Sequence, residues 1–333
     1  MTAFFEVDME YYIKQSRTAK EFSCIADKCP ATCCTGWSVI WTSEEIANLK
    51  KACCGELNER CEKAFPIADK YNAVKMNEEG VCPFLEDGLC EIHRQLGQEY
   101  LSYTCRQYPV ITRLIGNKFI KSCKTTCYAV AERLIRDENS MQLTKEKAID
   151  NSISAIITSE NSIQSRNITE KLETILWDDS ITLKEALIEF AKAADISASG
   201  EVANLNDVFG DIFGWKLILA DFTETQCADK FDDICSSAVR NVVKSLFMEW
   251  RIIGWVDELS AAENIMVFIF SAASVMKAYI GAAALVLSRE ELICTVSDIA
   301  GALYSDSTIA VRTAGYLSDK KLMNADFISY ILK

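Results

Sequence analysis

The sequence predicts a mainly α protein, with a loop-rich, cysteine-cluster domain at residues 1–140 followed by an α-helical domain at residues 141–333. Twelve of the fifteen cysteines lie in the first 127 residues. All four prolines precede residue 110, and the rest of the chain is rich in Ala, Leu, Ile, Glu and Lys, which long helices tolerate and favour. The charge is also unevenly divided, because residues 151–333 carry 26 acidic against 15 basic residues.

Helical periodicity marks the second part of the chain. Apolar residues Ile168, Leu172 and Leu176 recur on one face of a predicted helix. Asp178 to Ser180 supply N-cap residues for the next helix, in which Leu183 and later apolar residues repeat the pattern. Further helices are predicted at about 207–222, 231–253, 261–286, 289–304 and 307–317.

The first part of the chain is less regular. Residues 50–52 and 56–64 predict exposed helical turns, and residues 106–113 and 118–121 predict short strands. A helix is predicted to open at Cys127. Pro, Gly, Asp and Asn around the cysteines predict loops, where the backbone can bend to bring several sulfurs together.

Two compact groups of cysteines are the strongest chemical signal. The first group consists of Cys24, Cys29, Cys33 and Cys34, and the second of Cys82, Cys90 and Cys105. The chain opens without a basic stretch followed by an apolar core, so we expect no secretory signal and a cytoplasmic location. Thiols stay reduced there, and clustered cysteines more often bind metal than form disulfides.

Spacing leaves the kind of metal open. A four-iron cluster takes about four cysteine ligands, and two zinc ions with four thiolates each fit the count equally well. His93, the one histidine, lies three residues after Cys90, and we expect it at the surface or beside a ligand rather than bound to metal.

Charge and hydropathy exclude two classes of partner. A net charge of −13 repels phosphate backbones, so we predict no nucleic-acid binding. The apolar run from residue 265 to 287 is long enough to cross a bilayer. It contains Lys277, and a lysine near the middle of a span costs roughly 3 kcal/mol on insertion. We therefore predict a buried helix and no membrane partner.

The interleaved residues of the cysteine groups resemble a known family. The first stretch is Phe22-x-Cys24 with Cys29-Pro30-x-Thr32-Cys33-Cys34-x-Gly36-Trp37. The others are Cys82-Pro83-Phe84-Leu85, Gly88-Leu89-Cys90-x-Ile92, Leu96-Gly97, Leu101-Ser102 and Cys105-Arg106-x-Tyr108-Pro109. Over about residues 10–135 the sequence resembles the flagellin lysine-N-methylase family, whose cysteine core is shared with small zinc- or iron-chelating proteins.

The resemblance implies a protein-lysine N-methyltransferase with a [4Fe–4S] cluster, S-adenosyl-L-methionine as methyl donor and flagellin as protein substrate. It implies eight candidate metal ligands, which are Cys24, Cys29, Cys33, Cys34, Cys82, Cys90, Cys105 and Cys127. A radical mechanism is not favoured, because Cys29-x3-Cys33 would need a third cysteine at Gly36.

Three further residues are assigned roles near the donor. Tyr108 is the candidate catalytic residue, because a nearby acceptor favours the neutral, nucleophilic lysine amine. Arg106 is a candidate partner of the donor carboxylate, with a structural pairing to a loop carbonyl or acid as the alternative. Trp37, with Trp41, is a candidate for stacking on the adenine ring, with a core position as the alternative.

Two other classes of function stay open from the sequence. One is a non-enzymatic metal-binding or redox-sensing protein with a zinc or iron–sulfur site. The other is a structural zinc protein that performs no chemistry.

Overall fold

The structure is a computed structural model that describes eleven stretches of the chain. They are residues 10–35, 39–66, 71–148, 156–157, 163–196, 200–213, 236–251, 256, 258–284, 288–304 and 307–332. The chain forms two compact units. The cysteine unit is Ser23–Pro109, and the helical unit combines Met1–Phe22 with Val110–Lys333.

Short strands and helices form the N-terminal part of the helical unit and the whole of the described cysteine unit. The helical unit opens with strand β1 (Tyr12–Ser16) and helix α1 (Arg17–Glu21). The cysteine unit contains, in chain order, β2 (Ile40–Thr42), α2 (Ser43–Ala52), α3 (Gly55–Ala64), β3 (Tyr71–Ala73), β4 (Leu85–Glu86), β5 (Leu89–Cys90), α4 (Glu91–Leu96) and α5 (Tyr103–Gln107). Its core is formed around fully buried side chains such as Leu49, Phe84 and Ile92.

A five-stranded sheet anchors the helical unit. The later strands are β6 (Val110–Ile115), β7 (Lys118–Cys123), β8 (Leu143–Lys147) and β9 (Ile156–Ile157). Their order in the sheet is β8-β1-β7-β6-β9. Strand β1 runs parallel to β7, with Tyr12 opposite Lys118, and β6 pairs with β7 as an antiparallel hairpin.

The remaining described elements of this unit are helices. They are α6 (Tyr128–Arg136), α7 (Ile163–Leu176), α8 (Leu183–Ala193), α9 (Leu205–Phe213), α10 (Ser236–Glu249), α11 (Ala261–Ala284), α12 (Arg289–Tyr304), α13 (Ser307–Asp319) and α14 (Ala325–Ile331). More than half of the described residues are helical, which confirms the mainly α prediction. The helices predicted between residues 168 and 317 are all observed. Their ends lie within about five residues of the predicted ends wherever the structure describes those residues.

An aromatic cluster holds three of these helices together. Phe247 packs against Phe190 of α8, Trp250 and Phe268 of α11, with ring centroids 5.5 to 5.9 Å apart. All four side chains are fully buried. Each ring removes a large apolar area from water, so this cluster contributes much of the stability of the bundle.

Ion pairs link the sheet to helix α7. Lys14 on β1 pairs with Glu173, which also pairs with Arg251, while Lys118 on β7 lies 2.8 Å from Glu170. Burial and the nearby Arg251 lower the pKa of Lys14 to about 8. Charges this poorly hydrated are stable because each one has an opposite partner.

One described helix, over Ala261–Tyr279, is long and apolar enough to cross a membrane by length and composition. However, 78% of that window is buried inside the protein. The segment is therefore a buried core helix in this fold, which is what Lys277 within the apolar run predicted.

The division of the chain differs from the predicted boundary at residue 140. Residues 12–22 and 110–148 belong to the helical unit, because β1, β7 and β8 pair in one sheet. Strand β1 is far from its partners in sequence, so local patterns give no sign of the pairing.

Glu249 is a buried acid at the end of α10. Its Oε2 accepts a hydrogen bond from the backbone N–H of Thr125 at 3.1 Å, and Oε1 has no hydrogen-bond partner among the described residues. Burial raises the pKa of Glu249 from 4.5 to about 7. The Glu249 carboxyl is therefore harder to ionise in the folded protein than in water.

Replacing Glu249 by Gln is expected to remove a pH-dependent loss of stability. The folded-state pKa lies above the unfolded one, so the wild type loses stability as pH rises from about 4.5 to about 7, by on the order of 3 kcal/mol. The Gln side chain keeps an acceptor for Thr125. Urea unfolding of both proteins at pH 5 and pH 8 measures the difference, and an unchanged pH dependence in Glu249→Gln would contradict this explanation.

Candidate metal centre

Backbone contacts bring the two cysteine groups together. The carbonyl of Cys34 accepts a hydrogen bond from the backbone N–H of Cys82 at 2.8 Å, and Thr35 forms a β-bridge with Val81. The turn before Val81 is held by the side chain of Asn77, whose Oδ1 accepts from the Val81 N–H at 2.7 Å. Two stretches almost fifty residues apart thus meet at Cys34 and Cys82.

A tight hairpin places Cys90 opposite the residues that follow Cys82. Leu85 on β4 pairs with Cys90 on β5. Asp87 and Gly88 between the strands both have positive φ, at 49° and 76°. A two-residue hairpin loop with positive φ at both positions is the type I′ turn, for which Asp-Gly is a favoured sequence.

Backbone N–H groups point at two of the sulfurs. The N–H of Phe84 donates to the thiol sulfur of Cys82, and the N–H groups of Ile92 and His93 donate to that of Cys90. Burial raises the pKa of Cys82 to about 12 and also raises that of Cys90, while these N–H donors act in the opposite direction. Donors aimed at sulfur favour the thiolate, which is the form that binds metals.

Cys105 is positioned by the start of α5. Ser102 caps this helix, with its Oγ accepting from the Cys105 N–H at 3.1 Å. Burial raises the pKa of the Cys105 thiol to about 11, and a hydrogen bond with the Ser102 side chain lowers it. The fully buried Ser102 thus holds both the backbone and the sulfur of Cys105.

Four thiols share one electrostatic environment. In each of the six pairs among Cys34, Cys82, Cys90 and Cys105, the charge of one thiolate raises the pKa of the other thiol. A hydrogen bond with Cys33, followed by burial, raises the pKa of Cys34 well above its ordinary value. Four thiolates in this region repel one another, and a bound cation would offset that repulsion.

The donor set fits a thiolate-bound metal or cluster in its chemistry. Four sulfurs lie in one region, and backbone N–H groups are directed at two of them, as is common around metal-bound thiolates. Within the described residues, no group of three Cys, His, Asp or Glu side chains is close enough together to hold a metal ion. Binding would therefore require the four thiols to move closer to one another.

The other four predicted ligands lie on the first cysteine loop and at the start of α6. Cys24 and Cys33 are exposed and Cys29 is half-buried, on the loop around the 3₁₀ turn Ala26–Lys28. Cys127 is in the helical unit, at the N-cap of α6. Exposed His93 lies on α4, where its backbone N–H rather than its ring is directed at Cys90.

The candidate donor-binding residues also have defined surroundings, except for one. Trp37 lies outside the described residues, while Trp41 is buried in the core of the cysteine unit. Tyr108 ends α5, and its N–H donates to the Thr104 carbonyl at 3.0 Å. Arg106 donates to the Glu99 carbonyl at 3.0 Å and lies 3.5 Å from Glu45, which is the structural pairing that the sequence left open.

Glu45 connects the start of α2 to the start of α5. Its Oε2 closes a capping box with Thr42, and its Oε1 accepts from the Tyr103 N–H at 2.7 Å and contacts Arg106. Thr42-x-x-Glu45 is a recognisable capping signature, but nothing in the sequence indicates the second contact, 58 residues further on. Sequence reasoning missed Glu45 for this reason.

Comparisons with known proteins agree with the resemblance seen in the cysteine motifs. The flagellar biosynthetic protein FliU of Salmonella muenchen is 25% identical over 145 residues, which cover 42% of this chain and 86% of that protein. The lysine-N-methylases of Salmonella typhimurium and Salmonella choleraesuis are 25% identical over 146 residues. These residues cover 42% of this chain and 36% of each methylase, so the match spans about a third of the methylases' length.

These relatives confirm the resemblance to the flagellin lysine-N-methylase family. No protein-family model and no solved structure matches the chain.

Replacing Glu45 by Ala is expected to destabilise the protein by about 1–2 kcal/mol, because it removes a helix cap and leaves the Tyr103 N–H without its acceptor. Glu44→Ala is the matched control, since Glu44 is exposed in the same helical turn and its loss should change stability by less than about 0.5 kcal/mol. Denaturant unfolding compares the two, and equal effects would disprove the linking role of Glu45.

Proposed function

We propose that the protein is an S-adenosyl-L-methionine-dependent protein-lysine N-methyltransferase that acts on flagellin and carries a [4Fe–4S] cluster. The observation that carries the proposal is the set of four mutually interacting thiols in the cysteine unit. The lysine-N-methylase relatives support the class of reaction, and the flagellar name of FliU supports the substrate.

The cluster ligands in this proposal are Cys34, Cys82, Cys90 and Cys105. Four cysteine thiolates are the usual ligand set of a [4Fe–4S] cluster. When bound, the iron–sulfur core would supply positive charge that offsets the repulsion among the four thiolates. The chain supplies the N–H donors at Cys82 and Cys90, which stabilise the thiolates and tune the site.

Methyl transfer itself demands little from the side chains. A lysine amine has a pKa near 10.4 and is nucleophilic in its neutral form. The incoming ammonium loses its proton to water, and the hydroxyl oxygen of Tyr108 accepts a hydrogen bond from the neutral amine. Arg106 binds the donor carboxylate with the part of its guanidinium that Glu45 leaves accessible. Alignment of amine, methyl and sulfonium sulfur then provides most of the rate gain.

The acidic half of the chain favours a lysine-bearing protein substrate. Residues 151–333 have 26 acidic against 15 basic residues, and this excess attracts cations over long range. We place the reaction in the cytoplasm, where reduced thiols and unassembled flagellin subunits coexist. Association with flagellin should weaken with added salt, because salt screens this attraction.

Serine in place of Cys82 or Cys105 is expected to abolish iron binding, because each change removes one of four ligands. Cys294→Ser is the control, since Cys294 lies on α12 in the helical unit. Iron analysis and absorption near 400 nm after anaerobic purification measure the loss. If Cys82→Ser and Cys105→Ser retain full iron, these residues are not the ligands.

Flagellin co-expressed with the protein is expected to gain about 14 or 28 Da on lysines, one or two methylene units, as measured by mass spectrometry. Tyr108→Phe and Arg106→Lys should reduce this modification at least tenfold while iron stays bound, because both residues act on substrate or donor rather than on the metal. Unmodified flagellin in the presence of the intact, iron-loaded wild type would refute the methyltransferase proposal.

A second candidate is a non-enzymatic sensor or zinc protein. The four thiols of the cysteine unit also favour this candidate. In the described residues they are not arranged for one particular metal, and four thiolates bind zinc as readily as iron. Stoichiometric zinc together with unmodified flagellin would support this candidate.

A further inference from the structure

A second thiol pair lies in the cysteine unit, outside the cysteine motifs. Cys53 caps the C-terminus of α2, and Cys61 lies in the second turn of α3. The two side chains are hydrogen-bonded to each other, and Cys53 packs against the apolar core to which Cys61 belongs. A salt bridge between Lys50 of α2 and Glu62 of α3, 2.7 Å long, holds the same two helices together beside the pair.

The two thiols differ in their access to solvent. Cys61 is fully buried in the core of the cysteine unit, whereas Cys53 is half-buried at its edge. A small oxidant can therefore reach Cys53 but not Cys61. Burial raises the pKa of the Cys53 thiol, and the hydrogen bond from Cys61 acts in the opposite direction.

We propose that Cys53 and Cys61 are a peroxide-oxidisable pair, in which Cys53 reacts first and Cys61 resolves it as a disulfide. Hydrogen peroxide transfers one oxygen to the Cys53 sulfur, which gives a sulfenic acid and one water. The Cys61 sulfur then attacks the Cys53 sulfur and displaces hydroxide, which takes the Cys61 proton and leaves as a second water. Two thiols and one peroxide thus become one disulfide and two waters.

The hydrogen bond between Cys53 and Cys61 places the two reacting side chains next to each other. A disulfide requires close approach of its two sulfurs, and α2 and α3 already hold these side chains as neighbours. Cys54 follows Cys53 directly, but it is exposed and caps α3 at its N-terminus. The pairing with Cys61 therefore selects Cys53 over its neighbour, and it does not involve the four thiols of the metal centre.

Tryptic mapping tests the pair directly. Cleavage after Lys51, Arg60 and Lys63 separates peptide 52–60, which contains Cys53 and Cys54, from peptide 61–63, which contains Cys61. The full-length protein is treated with hydrogen peroxide, alkylated without reductant and digested. We expect the two peptides to appear linked, with a mass about 2 Da below their sum, and to separate after reduction.

Variants identify the sulfur in peptide 52–60. The link should persist in Cys54→Ser and disappear in Cys53→Ser, in which Cys61 should then remain a thiol because it is shielded. Circular dichroism confirms that each variant is folded. Peptides that stay unlinked in the folded wild type, or a link that survives in Cys53→Ser and is lost in Cys54→Ser, would overturn the proposal.

Discussion

The repulsion that four neighbouring thiolates would experience is the constraint on which the candidate metal centre depends. Cys34 and Cys82 lie in loops, Cys90 ends β5 and Cys105 lies on α5, and in every pair of these residues one raises the pKa of the other. Bringing such groups together is unfavourable for thiolates alone, so the surrounding structure must hold them. It does so through the Cys34–Cys82 backbone bond, the Asp87-Gly88 turn and the Ser102 cap. This pattern of support is what a thiolate-bound metal needs.

The apolar core of the cysteine unit packs against three of the four candidate ligands. Cys82, Cys90 and Cys105 all pack against the core formed by residues such as Leu49 and Phe84. Glu45 joins two helix starts on either side of that core. The Cys53–Cys61 pair belongs to this core as well, so its oxidation would affect the framework of the unit rather than its ligands.

Sequence patterns predicted the local features of this protein well. The helices predicted between residues 168 and 317 and the strand predicted at 118–121 are observed where the structure describes those residues. The strand predicted at 106–113 begins in α5 and is observed only from Val110. The cysteine motifs predicted eight ligands, and the structure shows mutual interaction for four of them. The pairing of β1 with β7 and the reach of Glu45 to Tyr103 connect residues far apart in sequence. Such contacts depend on the packing of the whole chain, and a single sequence has no local signal for them.

The central claim is that these four thiols hold an iron–sulfur cluster. Iron, acid-labile sulfide and zinc counted per chain after strictly anaerobic purification of the wild type test it most directly. The account predicts about four iron and four sulfide per chain, with zinc far below one. Stoichiometric zinc without iron, or a folded protein that takes up neither metal on reconstitution, would contradict it.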